Sequence, residues 1–428
     1  MVIYNIIIKL LYFMEETIFI QIASYRDPEL LNTLKDCLLN AEFPDRLRFG
    51  ICWQHSDEDV WDTLDQYKDD SRFRILDVNY KDSTGACWAR NSIQQLYQGE
   101  TYTFQLDSHH RFIRNWDTEL INMLKGLQAK GHAKPLLTSY ISSYNPETDP
   151  RGRTQVPWLM NFDRFTPEGV IFFLPATIPG WETMTEPIPS RFYSAHFAFT
   201  LGQFAVEVQH DPEFYFHGEE ITIAIRAFTH GYDLFHPHKI IAWHEYTRKG
   251  RVKQWDDDSE WGKRNTRTHE KTRKLLGIDG DSFDSDDDTY GKYGLGRLRT
   301  IADWERHAGI RLKDRSVQEW TTRNKLAPNP KVEDYDASFY HTFKHVIDVY
   351  RSEFTETDYT FCAVIMEAED GTGVYRQDLE AHEITAKLAG EGEWIHINVN
   401  MQGKKPYKWI VWPHSATKGW CKKIERVI

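Results

Sequence analysis

"TYTFQLDSHHRF", residues 101–112, reads as an apolar run fit for a buried strand that delivers into an acid, a serine and two histidines. Burying charge costs several kcal/mol unless it is paired or metal-bound, so the cluster at this strand's end calls for a partner. The preceding residues explain the strand. "TIFIQIAS" (17–24), "RLRFGICWQ" (46–54) and "FRILDVNY" (73–80) are further apolar runs of strand length. Between them, "DPELLNTLKDCLLNA" (27–41) places Leu30, Leu31, Leu34 and Leu38 at helical spacing, with Asp27 and Pro28 suited to an N-cap and first turn. "DVWDTLDQY" (59–67) predicts a short helix and "GACWARNSIQQLYQ" (85–98) a longer one. Strands alternating with helices predict an α/β domain with a mostly parallel sheet covered on both faces. Such sheets bind ligands at the carboxyl ends of their strands, where "SYRD" (24–27) and "DSHH" (107–110) stand.

The bulk numbers set limits on function. A chain of 428 residues favours two domains, and 40% hydrophobic residues suffice for packed cores. A net charge of −12 provides no basic footprint, so nucleic acid is not an expected partner. Fifteen tryptophans and 21 tyrosines serve either core packing or stacking on sugar rings and bases. The five cysteines, Cys37, Cys52, Cys87, Cys362 and Cys421, form no CxxC pair, which fits a reducing compartment and gives no zinc-site spacing. The opening "MVIYNIIIKLLYFM" is shorter than the ~20 apolar residues a membrane span needs. It reads as an added strand or helix, or as sequence upstream of a start at Met14, and no stable membrane span is expected.

Residues 130–250 are richer in proline and aromatics, with a strand region in "FYSAHFAFTLG" (192–202), a helix in "GEEITIAIRAFTHG" (218–231) and a strand in "KIIAWHEY" (239–246). From 248 to 274, ten Lys/Arg face five Asp/Glu, as on a solvated face. "DGDSFDSDDD" (279–288) lacks the glycine and glutamate of a calcium loop and reads as an exposed acidic segment. The expected organisation is an apolar extension (1–16), a large α/β domain (17–324), a linker (325–336) and a small all-β domain (337–428).

Asp107 and His109, two apart on a turn after a buried strand, can converge on one divalent cation. Mixed oxygen and nitrogen ligation suits Mn²⁺ or a similar metal better than Ca²⁺. His244, closing "KIIAWHEY", is a candidate third ligand or else a core histidine bonded to backbone.

Seven blocks in order extend this reading: "IASYRDP" (22–28), "GACWARN" (85–91), "FQLDSHHRF" (104–112), "HGEE" (217–220), "GYD" (231–233), "WHEYTR" (243–248) and "YGLGRLRT" (293–300). Together they resemble the cytoplasmic hydroxyproline N-acetylglucosaminyltransferases and their bacterial and viral relatives, from about Thr17 to Arg315. The resemblance implies a GT-A fold (Rossmann-like, mostly parallel sheet) and a retaining, UDP-sugar-dependent glycosyltransferase in the cytoplasm. It implies Mn²⁺ (or Mg²⁺) held by Asp107, His109 and His244 against the two phosphates of UDP, with Ser108 facing sugar or ribose. Ser24, Tyr25, Arg26 and Asp27 would seat the uridine, Tyr25 stacking on the base and Asp27 bonding base or ribose, unless Asp27 simply caps the helix. Gly85 would allow close approach of the chain, and Arg90 would reach the nucleotide or form a structural salt bridge. Glu219 and Glu220 would face donor sugar and acceptor, or cap the next helix. His217 and Trp181 are further candidate contacts, and Arg248, Lys249 and Arg251 a basic loop over the diphosphate.

The implied donor is UDP-N-acetylglucosamine and the implied acceptor a hydroxyl on a protein or glycan. A non-catalytic glycan binder on a degenerate transferase fold, and a metal-dependent phosphoesterase, are the open alternatives. In the all-β region Trp394, Trp409, Trp412 and Trp420 serve either carbohydrate binding or a packed core.

Overall fold

A computed structural model of the chain describes residues 16–166, 168–280 and 288–428. Its first twelve strands are β1 (Ile18–Tyr25), β2 (Leu47–His55), β3 (Phe73–Asn79), β4 (Tyr102–Asp107), β5 (His110–Phe112), β6 (Pro135–Thr138), β7 (Trp158–Phe165), β8 (Ile171–Thr177), β9 (Ile188–Pro189), β10 (Phe197–Leu201), β11 (Asp233–His236) and β12 (Ala242–His244). Eight of them form one sheet in the order β3-β2-β1-β4-β10-β6-β11-β9. β3, β2, β1 and β4 are parallel, and β10 runs antiparallel between β4 and β6.

The two-residue period of β1 explains why both faces are covered. Ile18, Ile20 and Ile22 pack with Leu30 and Leu34 of the helix Leu30–Asn40, while Phe19 packs with Ala89 and Ile93 of the helix Ala86–Gln94. Each such side chain contributes about 1.5–3 kcal/mol on full burial. Gly50 of β2 is required by that packing: a Cβ there would lie 2.7 Å from the Phe19 ring and 2.9 Å from Ile93.

Parallel pairing carries β1 and β4 to a common edge, where Ala23 is level with Asp107. A small second sheet then brings a distant segment to this edge, because β12 pairs antiparallel with β5 and His244 sits opposite His110. β12 spans only Ala242–His244 of the longer strand expected. Beyond it the His244 carbonyl accepts from the Tyr144 N–H, and no longer ladder forms. The segment expected as a short helix at 59–67 forms turns and a single 3₁₀ turn, Asp65–Tyr67. The Trp53 indole N–H donates to Asp62 at 2.7 Å and ties that segment to β2. The antiparallel β7–β8 hairpin lies in the proline- and aromatic-rich stretch, ahead of the strand region expected at 192–202.

The C-terminal strands are β13 (Ile310–Arg311), β14 (Ser316–Gln318), β15 (Phe339–Tyr350), β16 (Tyr359–Glu367), β17 (Gly373–Glu380), β18 (Trp394–Gly403), β19 (Lys408–Ser415), β20 (Gly419–Trp420) and β21 (Ile424–Val427). One sheet runs β13-β14-β15-β18 and crosses the 325–336 segment; the other runs β17-β16-β19-β20, with β21 also on β19. Ile347 and Ile397 of the first pack with Val364 and Val411 of the second in one core. The region is not purely β: the helix Ala381–Ala389 buries Ile384, and the Glu383 carboxylate accepts the Glu380 N–H at its start. Trp409 is core, whereas Trp394 and Trp420 are exposed. No helix among the described residues is long and apolar enough to cross a membrane. Most of the apolar extension and of the acidic run at 279–288 lies outside the described residues.

Candidate active site

The turn after β4 sets Asp107 Oδ2 3.8 Å from His109 Nε2 and 3.4 Å from His244 Nε2. One donor-type atom from each of the three lies within 4.8 Å of the others. His244 is buried, and neither of its ring nitrogens has a hydrogen-bond partner. Burial, and then neighbouring His196, hold that imidazole neutral. Burial alone would raise the Asp107 pKa, but His244, Arg90 and His109 outweigh it and keep the carboxyl well below the usual range. Orphaned buried polar atoms cost about 1–3 kcal/mol each, and an ionised carboxylate beside imidazole nitrogens is a donor set for a divalent transition-metal ion. These residues fit such an ion.

Asp27 stands behind this trio. Its Oδ2 accepts from Ser108 Oγ at 2.6 Å and Arg251 Nη1 at 2.9 Å and lies 2.7 Å from His109 Nδ1; its Oδ1 accepts the Glu29 N–H at 2.9 Å. Burial opposes ionisation, but His109 and then Arg251 outweigh it and hold the group charged. With Nδ1 engaged by Asp27, His109 presents Nε2 to Asp107, a carboxylate–histidine relay of the kind that orients metal ligands. Asp27 and the Ser108 hydroxyl bond each other here, and both line the cavity described next, where the resemblance implied base, ribose or sugar. Asp27 does also hold the helix start through the Glu29 N–H.

Two cavities flank Asp107. The first, about 150 Å³, is lined by Tyr25, Gly85, Arg90, Ser108, Arg251 and Trp255 among others. The "SYRD" reading is corrected: Ala23 and Tyr25 alternate onto this cavity within β1 and Asp27 joins them beyond the strand, past Arg26 at φ +44°, while Ser24 and Arg26 do not line it. Ser24 is buried, and Arg26 is held by Asp59 at 2.6 Å and by Asp257 at 3.2 Å. The Tyr25 hydroxyl donates to Asp257 at 2.7 Å. Gly85 has φ +123°, and a Cβ there would meet the Tyr215 ring at 2.8 Å, so glycine is needed for both conformation and space. The segment from Arg248 to Asp257 closes the cavity. Arg251 bridges Asp27 and Glu245, and the Arg248 guanidinium lies 5.4 Å from the Trp255 ring centre and 5.6 Å from that of Phe216. Lys249 instead pairs with exposed Glu147.

The second cavity, about 250 Å³, is lined by Tyr140, His196, His217, Glu219, Glu220 and Tyr246 among others and shares Arg90, Asp107, Phe216 and Arg248 with the first. Arg90 bridges the two acids at the boundary, donating to Asp107 Oδ1 at 2.9 Å and Glu219 Oε1 at 2.6 Å. The salt-bridge reading of Arg90 is therefore what the geometry shows, at a residue that lines both cavities. Burial opposes the Glu219 charge, but Arg90 outweighs it and brings the pKa to about 2. Glu219 also lies with Cys87 and His210 in a second buried group of ligand-type atoms, where the Arg90 guanidinium already supplies the positive charge.

Glu220 differs. It accepts from the Tyr140 hydroxyl at 2.7 Å and the Ala195 N–H at 2.9 Å, and burial raises its pKa to about 7. Trp181 lines neither cavity and packs with Leu159, Ile178 and Ile188. His196, which the sequence reading passed over, stacks on His244 with ring centres 4.2 Å apart and is pinned by Ser194 and Tyr246.

A family model described as Glycosyltransferase (GlcNAc) matches residues 17–72 and 63–314. The chain belongs to this glycosyltransferase family. The GlcNAc glycosyltransferase family membership and the fold agree: the chain has a GT-A fold, similar to the crystal structure of GalNAc-T7 with UDP, GalNAc and Mn²⁺ at TM-score 0.50 and 13% identity, over 97% of this chain and 72% of that one. The crystal structure of S. aureus TarS 1-349 is a more distant likeness, at TM-score 0.36 and 10% identity over 61% of this chain and 74% of that one. No curated protein matches the chain in sequence. As a GlcNAc glycosyltransferase family member it is a sugar-transferring enzyme. The family match ends at 314, so about the last quarter of the chain, with β14 to β21, lies outside it.

Proposed function

We propose that this chain transfers N-acetylglucosamine from UDP to a hydroxyl of a protein or glycan acceptor, with retention. The observation that carries the reading is the convergence of Asp107, His109 and His244 at the boundary of two cavities. The donor sugar is supported by the family's description, and UDP with Mn²⁺ by the GalNAc-T7 complex that shares the fold. Asp107, His109 and His244 would hold Mn²⁺ or Mg²⁺, which when bound neutralises charge building on the leaving diphosphate.

The chain's own residues do the rest. Tyr25 and Trp255 face the nucleotide in the first cavity, and Arg248 reaches both cavities and pairs with phosphate as the 248–257 segment closes. Arg90, charged and braced by Glu219, donates its second terminal nitrogen to Asp107 and holds that carboxylate at the boundary of the two cavities. Glu220 and Tyr140 bond sugar or acceptor hydroxyls in the second cavity, and Glu220, with a pKa of about 7, can take up or release a proton there. Glu219 acts through Arg90 and is a positioning residue. We place this chemistry in the 17–324 unit, with 337–428 as an accessory unit. All five cysteines are free, which supports a cytoplasmic setting.

The test is UDP release from a panel of UDP-sugars, with Mn²⁺ and with EDTA, on wild type and Asp107→Ala. Metal-dependent release from UDP-N-acetylglucosamine, lost in the variant, is the expected result. No release from any donor together with no UDP binding would sink the reading.

A further inference from the structure

A third cavity, about 260 Å³, lies between the β7–β8 hairpin and the C-terminal strands. Phe165, Arg315, Phe343, Lys344, Lys405 and Tyr407 are among its walls, and no Asp or Glu side chain among the described residues lines it. In a chain with net charge −12, three cationic side chains on one cavity with no Asp or Glu side chain among them are a distinctive grouping. Arg315 is fixed by Asp279 and Lys344 by Asp163, whereas Lys405 has no ion pair among the described residues. Lys405 is therefore the cation in this wall left to meet an incoming anion.

The aromatic walls add a second preference, since ring faces pack against the apolar faces of sugars, while guanidinium and ammonium groups take carboxylate or phosphate. Position supplies the third argument. Phe165 of this cavity is paired in register with Ile171, and Ile171 and Phe172 line the second active-site cavity. Paired strands lie about 4.8 Å apart, so the two cavities are neighbours across one hairpin.

We propose that this crevice binds a sugar unit carrying a negative charge, a carboxylate or a phosphate, belonging to the acceptor glycan whose hydroxyl enters the second cavity. The role as acceptor anchor rests on the transferase reading above; the binding itself does not.

The test uses the full chain in EDTA, so that no metal recruits anions to Asp107. Glucuronic acid, glucose 6-phosphate and glucose are titrated by ligand-observed NMR against wild type, Lys405→Glu and Tyr407→Ala. At least one charged sugar is expected to bind saturably and at least tenfold more tightly than glucose, and Lys405→Glu to weaken it at least tenfold with a weaker loss in Tyr407→Ala. Binding of glucuronic acid alone assigns a carboxylate-bearing unit, and of glucose 6-phosphate alone a phosphate-bearing one. Equal binding of all three sugars, binding indifferent to Lys405→Glu, or no binding overturns the proposal. Metal-dependent UDP release, measured in parallel and expected unchanged in Lys405→Glu, keeps a failure of the transferase reading separate from a failure of the crevice.

Discussion

Asp27→Asn is the most informative single change, because it keeps the shape of the side chain and removes its charge. The carboxylate is the partner of His109 Nδ1 at 2.7 Å and of Arg251 at 2.9 Å. The amide keeps one oxygen, for the Glu29 N–H, and its NH2 replaces the oxygen that served Ser108, His109 and Arg251, so it no longer polarises His109 or pairs with Arg251. Loss of an outer partner of a ligating histidine weakens metal binding by about 10–100-fold, which is about 1.4–2.8 kcal/mol. The cost to folding is smaller than for a stranded buried charge, since Arg251 keeps Glu245 at 2.6 Å. Calorimetric titration of Mn²⁺ into the metal-free variant should show this weakening, and the Mn²⁺ concentration for half-maximal UDP release should rise in step. Tyr25→Phe, which removes only the hydroxyl bond to Asp257, should leave Mn²⁺ affinity within twofold of wild type. A folded Asp27→Asn protein with wild-type Mn²⁺ affinity would refute the relay.

Other outcomes follow from the same geometry. Arg90→Ala strands Glu219 without its cation, and a loss of about 3–5 kcal/mol is expected in denaturant unfolding, with no rescue by Mn²⁺; a loss under 1 kcal/mol would contradict the bridge. The Glu220 pKa rises from 4.5 to about 7 on folding, so its contribution to stability is full below about pH 4.5 and is lost as pH climbs through 7, by about 3 kcal/mol in all. In Glu220→Gln this part of the pH–stability curve should flatten, and an unchanged curve would count against a raised pKa. Proton NMR of the first-formed product should show the α-anomer of an α-linked donor sugar retained; inversion would remove the retaining assignment.

Several features were legible in the sequence because they depend on neighbours along the chain. Alternating apolar runs and helical leucines specify the parallel core from β1 to β4, since burial of a two-sided strand leaves one arrangement for each face. Asp107 and His109 were readable because a strand end and a two-residue spacing are local facts. The helix expected at 59–67 was not, because Trp53 and Asp62 bond across a turn and override local preference. Likewise the helix at 381–389 was hidden in a run of strands, although its Ile384 and Leu388 are four apart.

What only tertiary structure decided is the direction of each polar side chain. "SYRD" looked like one nucleotide-binding unit, yet the end of β1 and the left-handed turn at Arg26 bring Tyr25 and Asp27 to the cavity and leave Ser24 and Arg26 off it. The two adjacent glutamates could not be ranked in sequence. Helical geometry and packing place Arg90 on Glu219 and burial with Tyr140 on Glu220, so one stays charged while the other titrates near neutrality. The sequence determined which chemical groups stand at the strand ends, because that follows from periodicity. Their pairing, and with it their charge, belongs to the fold, because a carboxylate's state is set by the dielectric and the cations that distant segments bring to it.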